Sequence, residues 1–233
     1  MARYVSSLQV AVVAVLLGGS GCATLRMVPP GDVARQSEVF EATERSSMTG
    51  SFVDESFVLG PYQVAEVDRD WNRGSGFSVA GFSKDDTRTA YTFQFVDRAE
   101  KLPAQCTSLT ERKGLSLGKA GSLSSQDARL VCTCGVGDGA ARLELEDRRG
   151  DHAGRVALAG RTFDLTSVHE TTAAWSPGEP AGFRVDGAEG PAAAVEVLRP
   201  GRIWLSKSLD DGERRQLACL LAGVMLYVEP TDD

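Results

Sequence analysis

The chain has 233 residues, a formal net charge of −7, a pI near 5.0 and two histidines. That length holds one large domain or two small ones once a leader is set aside. The acidic balance argues against nucleic-acid or anionic-surface binding that relies on bulk charge, and so few histidines make a histidine-based metal site improbable.

Residues 1–21 read as a targeting leader. Arg3 supplies the positive end, and residues 5–19 are largely apolar and carry no charge. That run is short for a bilayer span, which takes roughly 20 apolar residues. It closes on Gly19-Ser20-Gly21-Cys22-Ala23. Small residues before a cysteine resemble the bacterial lipobox, although Gly19 stands where that motif usually has leucine. The resemblance implies cleavage before Cys22 and acylation there, with palmitate among the chains. It also implies a durable membrane anchor, because each buried CH₂ contributes about 0.8 kcal/mol. Ala23, rather than aspartate, after the cysteine points to the outer membrane of the cell envelope, facing the periplasm or the surface. The alternative is a plain secretory signal cut elsewhere, or an uncleaved anchor. Residues 22–36 hold Pro29, Pro30 and Gly31 with little periodicity, and read as a flexible tether. Residues 37–233 read as a single β-rich domain.

From there the pattern is strand after strand. Segments 56–59 and 62–68 flank Gly60-Pro61. Segment 76–82 is short and bounded by glycine. In 88–96, Tyr91, Phe93 and Phe95 alternate with Thr92 and Gln94, the period-2 signature of a half-buried strand. Further strands are expected at 130–135, 142–147, 155–159, 161–168, 182–186, 193–198 and 202–206, with turn residues between them. Such spacing signals an all-β barrel or sandwich.

The end of the chain differs. Asp210, Asp211 and Glu213 suit the positive end of a helix, and residues 217–228 are apolar or glycine throughout. A helix without a polar stripe is buried on all sides, and twelve residues are too few to cross a bilayer. The expected fold is therefore an antiparallel barrel of about twelve strands around a hydrophobic C-terminal helix. The alternative is a β-sandwich with that helix on one face. In element order the chain is similar to the tubby-like barrels, including the plant LURP-type and scramblase proteins, over about residues 37–229. The resemblance implies a closed barrel wrapped around its last helix. It brings no signature motif, so no lipid or calcium residues are carried over.

Beyond Cys22 the cysteines are Cys106, Cys132, Cys134 and Cys219. An even number in an exported chain reads as two disulfides. Strand residues i and i+2 point the same way, so Cys132 and Cys134 make poor partners for each other. Cys106 then pairs with one of them and Cys219 with the other. If Cys134 is the partner of Cys219, closing that loop contributes about 4 kcal/mol. A four-thiolate zinc site is the alternative, although Cys-x-Cys suits zinc less well than Cys-x-x-Cys.

Catalytic motifs are sparse. Gly114-Leu115-Ser116-Leu117-Gly118 has the spacing of a nucleophile elbow, which needs a buried strand before the serine and a helix after it; neither flank fits. His169-Glu170 begins like a zincin, but Ala173 stands where the second histidine belongs. Arg69, Asp70 and Trp71 form the densest polar cluster beside an aromatic residue, a possible surface recognition patch; the alternative is a strand end with solvated charges. These features lead to the expectation of a non-enzymatic binding or scaffolding module, without cofactor or metal. Its partners are the membrane through the lipid anchor and an envelope protein or lipid, not nucleic acid. Two other expectations are a carrier of lipid or another hydrophobic ligand in an open barrel, and a serine hydrolase using Ser116.

Overall fold

The structure is a computed structural model. It describes residues 25–45, 55–79, 82–98, 100–116, 122–148, 151–173 and 179–227, with backbone alone at 71–73, 122–124, 148 and 151. Cys22 and the leader lie outside the described residues.

Twelve antiparallel strands follow one another around a closed barrel: β1 (Ser37–Thr43), β2 (Phe57–Leu59), β3 (Tyr62–Val79), β4 (Phe82–Asp97), β5 (Glu100–Ser116), β6 (Ser122–Cys134), β7 (Ala141–Arg148), β8 (Asp151–Leu158), β9 (Arg161–Val168), β10 (Gly182–Gly187), β11 (Gly190–Glu196) and β12 (Arg202–Ser206). β12 pairs with β1 to close the ring, from Ser37 opposite Ser206 to Glu41 opposite Arg202. The sandwich alternative is not formed. Alternation sets the interior: Tyr91, Phe93 and Phe95 are at most 2% exposed, while Thr92 between them is exposed.

A long helix, α2 (Asp211–Leu226), fills the lumen. It starts where the sequence places it, because Asp210 caps it: Glu213 N donates to Asp210 Oδ1 at 2.8 Å, and Asp210 N donates back to Glu213 Oε2 at 3.3 Å. Leu217, Leu220 and Leu221 are fully buried against Phe95, Leu130, Leu143, Phe163 and Ile203 from around the ring. Each buried leucine contributes about 2 kcal/mol. The apolar run stays helical because the barrel hides every side of it.

Both disulfides form. Cys106 joins Cys132, its register partner across β5 and β6, and Cys134 joins Cys219 on the helix. This resolves the open pairing and replaces the zinc alternative. The i, i+2 pair sits on one inward face, so neighbouring cysteines reach different partners.

Two features depart from expectation. The first concerns residues 25–36, read above as a tether. Met27 forms a bridge with Thr171, and a short helix, α1 (Gly31–Gln36), follows. Met27 and Val33 are buried with Val168, Ala181, Ala194 and Trp204 in a second apolar cluster on the outer wall of the barrel. This stretch is a strap: two widely spaced apolar residues hold it, which a periodicity reading does not detect.

The second is the length of β3 to β6. Their paired residues continue well past the level where α2 ends, marked by Arg69 Nη2 donating to Leu226 O. The overhang from Arg69 to Val79 is on the order of 30 Å at roughly 3.3 Å per strand residue. It forms a four-stranded blade at the helix C-terminal end of the barrel.

Candidate functional site

The helix C-terminus leaves carbonyls without intrahelical donors and carries partial negative charge. Inward-facing side chains supply the donors. Tyr91 Oη donates to Gly223 O at 2.8 Å, Arg69 Nη2 to Leu226 O at 2.6 Å, and Arg45 donates to Met225 O and to Pro200 O. Glu55 balances Arg69, accepting from its Nε at 2.9 Å and its Nη2 at 2.5 Å, and the Arg69 guanidinium lies 4.9 Å from the centre of the Tyr91 ring. Burial, reinforced by the like charges of Arg199 and Arg69, pushes the Arg45 guanidinium down to about 10. Burial also holds the Tyr91 phenol far above the ordinary tyrosine range. This is a structural cap on the core helix.

That placement corrects the expected recognition patch. Arg69 is directly opposite Tyr91 in the register and shares its inward face; its side chain is 9% exposed and engaged by Glu55. Asp70 is exposed on the other face of the strand. The Trp71 side chain lies outside the described residues. Arg69 and Asp70 therefore do not form one surface. The sequence shows a dense polar cluster, but strand alternation divides it.

Ser116 is the last residue of β5, exposed and paired with Ser122. Among the described residues the next element is β6, a strand, where a nucleophile elbow has a helix. His169 Nε2 lies 3.3 Å from Ser167 Oγ. His152 is buried, 3.6 Å from Asp147 and edge-on to Phe183. Among the described residues, no group of three or more His, Cys, Asp or Glu is placed to hold a metal ion. The carrier reading needed an empty barrel with the helix outside. Here the helix occupies the lumen instead.

On the outer face of β4 to β7, Arg88, Arg129 and Arg142 surround Thr107, Leu109 and Val131 in a shallow groove. Arg129 pairs with Glu144 at 3.0 Å, and Arg142 with Glu144 at 2.8 Å; the Arg142 hydrogen bond is the main reason the Glu144 carboxyl sits below its ordinary range. Arg88 has no ionic partner among the described residues. No sequence window contains this band, because four strands contribute one or two residues each.

At the helix C-terminal end, the buried carboxylate of Glu196 organises the strap. It accepts from Met27 N at 2.6 Å, Arg202 Nε at 2.7 Å and Arg26 Nη1 at 3.3 Å. Arg26 also pairs with Glu41, and Arg202 Nη2 donates to Met27 O at 3.0 Å. Four donors from three residues, Arg202 Nη2 at 3.2 Å included, compensate the desolvation of this buried acid.

Searches against protein-family models, curated proteins and solved structures find no match for this chain.

Proposed function

We propose that the chain is an outer-membrane lipoprotein of the cell envelope, anchored through acylated Cys22 and addressed by Ala23 after it, whose barrel is a non-enzymatic binding or scaffolding module. The observation that carries the reading is the Cys134–Cys219 disulfide, which staples the core helix into the barrel. Such a bond belongs to an oxidising compartment, in keeping with the leader. It also keeps the lumen filled, so partners meet the outside of the barrel. The tubby-like character of the domain belongs to the same proposal: its support is twelve strands in chain order closing around the last helix.

The test is Cys22→Ser with a clickable palmitate analogue. Wild type incorporates the label and fractionates with membranes, and the variant does neither. An unlabelled wild type, or a variant that stays in the membrane fraction, contradicts the anchor.

A further inference from the structure

The blade at the helix C-terminal end has an apolar tip. Phe77 is 54% exposed, Val79 66%, Phe82 40% and Leu115 41%. Val79 is register partner to Phe82, and Phe82 to Leu115, so the three share one face. Phe77 lies two residues before Val79 on that face, with its ring 6.0 Å from that of Phe82. Exposed apolar side chains gathered at the end of a projecting sheet mark a contact surface.

The row behind the tip is cationic. Lys84 stands opposite Phe77, and Lys113 opposite Lys84. Lys84 pairs with Asp86 and Glu111, and Lys113 pairs with Glu111. Apolar side chains first and snorkelling lysines next is the order of a segment dipping into a bilayer interface. Because carboxylates offset the lysines, apolar burial supplies the attraction, with little dependence on anionic lipid.

The strap fixes which end of the barrel faces the anchor. Arg26 and Met27 are tied to Glu41, Glu196 and Arg202. That is the same end where Arg45 meets Met225 O at the close of α2. Extended chain covers at most about 3.6 Å per residue, so Cys22 is within roughly 11 Å of Leu25. The chain outside the structure therefore departs from the end toward which the blade projects.

We infer that the tip formed by Phe77, Val79, Phe82 and Leu115 inserts into the lipid bilayer that holds the acyl anchor, so that the barrel is fixed to the membrane at two points. This rests on the lipoprotein reading. A second copy of the chain is the competing occupant of the tip, and the test separates the two.

The full-length acylated protein is reconstituted into vesicles of phosphatidylethanolamine and phosphatidylglycerol, carrying Val79→Cys labelled with the fluorophore NBD. The four domain cysteines are bonded, leaving the new thiol as the site of labelling. Val136→Cys is the control: Val136 is 78% exposed, and the turn after it accepts a hydrogen bond from Gln216 near the start of α2, at the opposite end of the barrel. Nitroxide-bearing lipid is expected to quench the label at 79 by about threefold and leave the label at 136 unchanged, as for an apolar segment seated in the interface. Phe82→Cys repeats the measurement from the next strand and should behave as Val79→Cys does. Protein that floats with the vesicles but shows equal, weak quenching at 79 and 136 overturns the tip and leaves the anchor standing. A blue-shifted label at 79 that nitroxide lipid does not quench assigns the tip to another copy and overturns the inference. Protein that fails to float with the vesicles removes the anchor and the inference together.

Discussion

The space a side chain would need at Gly223 is occupied by the sulfur of Cys106. A Cβ built on Gly223 meets Cys106 Sγ at 2.8 Å and Cys132 Sγ at 3.0 Å. The helix thus presses bare backbone against the disulfide joining β5 to β6, directly beside the carbonyl that accepts from Tyr91.

Gly223→Ala is expected to destabilise the domain. Overpacking costs about 1–3 kcal/mol, and the helix-propensity gain of about 1 kcal/mol offsets only part of it. A cross-linked sulfur cannot rotate away. In a Cys106→Ala, Cys132→Ala background the same substitution should become neutral or stabilising. Urea denaturation of the four proteins checks both signs, and equal penalties in the two backgrounds would refute the packing account.

The two disulfides should differ in worth. Cys134 and Cys219 are separated by 85 residues, and Cys106 and Cys132 by 26. The chain-entropy argument gives about 4–5 kcal/mol for the longer loop and about 3–4 for the shorter. Replacing the first pair with alanine should therefore lower the denaturation midpoint more than replacing the second. The reverse order, or free thiols detected by alkylation of the native protein, would contradict the arrangement.

Alkali should unfold the protein through Tyr91. Its phenol is raised above the ordinary tyrosine value of about 10 chiefly by burial. Above that pH the unfolded chain has lost a proton that the folded chain still holds, so stability falls as pH rises. Below it the contribution is fully present. Tyr91→Phe should cost about 1 kcal/mol at neutral pH, for the lost hydrogen bond to Gly223 O, and should flatten the decline above pH about 10. Urea midpoints across alkaline pH test this; an unchanged slope in the variant would count against it.

Glu196 should control the strap. Glu196→Ala leaves the buried Met27 N without its acceptor, and leaves Arg202 and Arg26, 23% and 22% exposed, without their counter-charge, at a cost of about 1–3 kcal/mol. Limited proteolysis should then cut within residues 25–36 before it cuts the barrel. A variant as resistant there as wild type would show that Met27 and Val33 hold the strap by apolar packing alone.

The core was legible in the sequence because burial writes a pattern. Tyr91, Phe93 and Phe95 announce a half-buried strand, and the run that begins at Leu217 announces a helix hidden on every side. Segment 161–168 matches β9, and 202–206 matches β12. The blade wrote no such pattern. The outer end of β5, Glu111–Ser116, runs Glu-Arg-Lys-Gly-Leu-Ser with no buried position, because beyond the barrel no core lies against either face. Its strands are held by ladder hydrogen bonds, which carry no residue signature. Arg69 was legible as a charge but not as a cap, since the carbonyl it caps, that of Leu226, lies 157 residues along the chain. The arginines at 88, 129 and 142 meet only through the register.

Helix α2 lies C-terminal to every strand, yet it is what the strands enclose. On the proposed export route, threading N-terminus first delivers all twelve staves of this cask before its filling. The walls have nothing to close upon until the final stretch is through. Premature folding is thereby disfavoured by the order of the elements themselves, and assembly must await contacts between distant parts of the chain, which is a slow route.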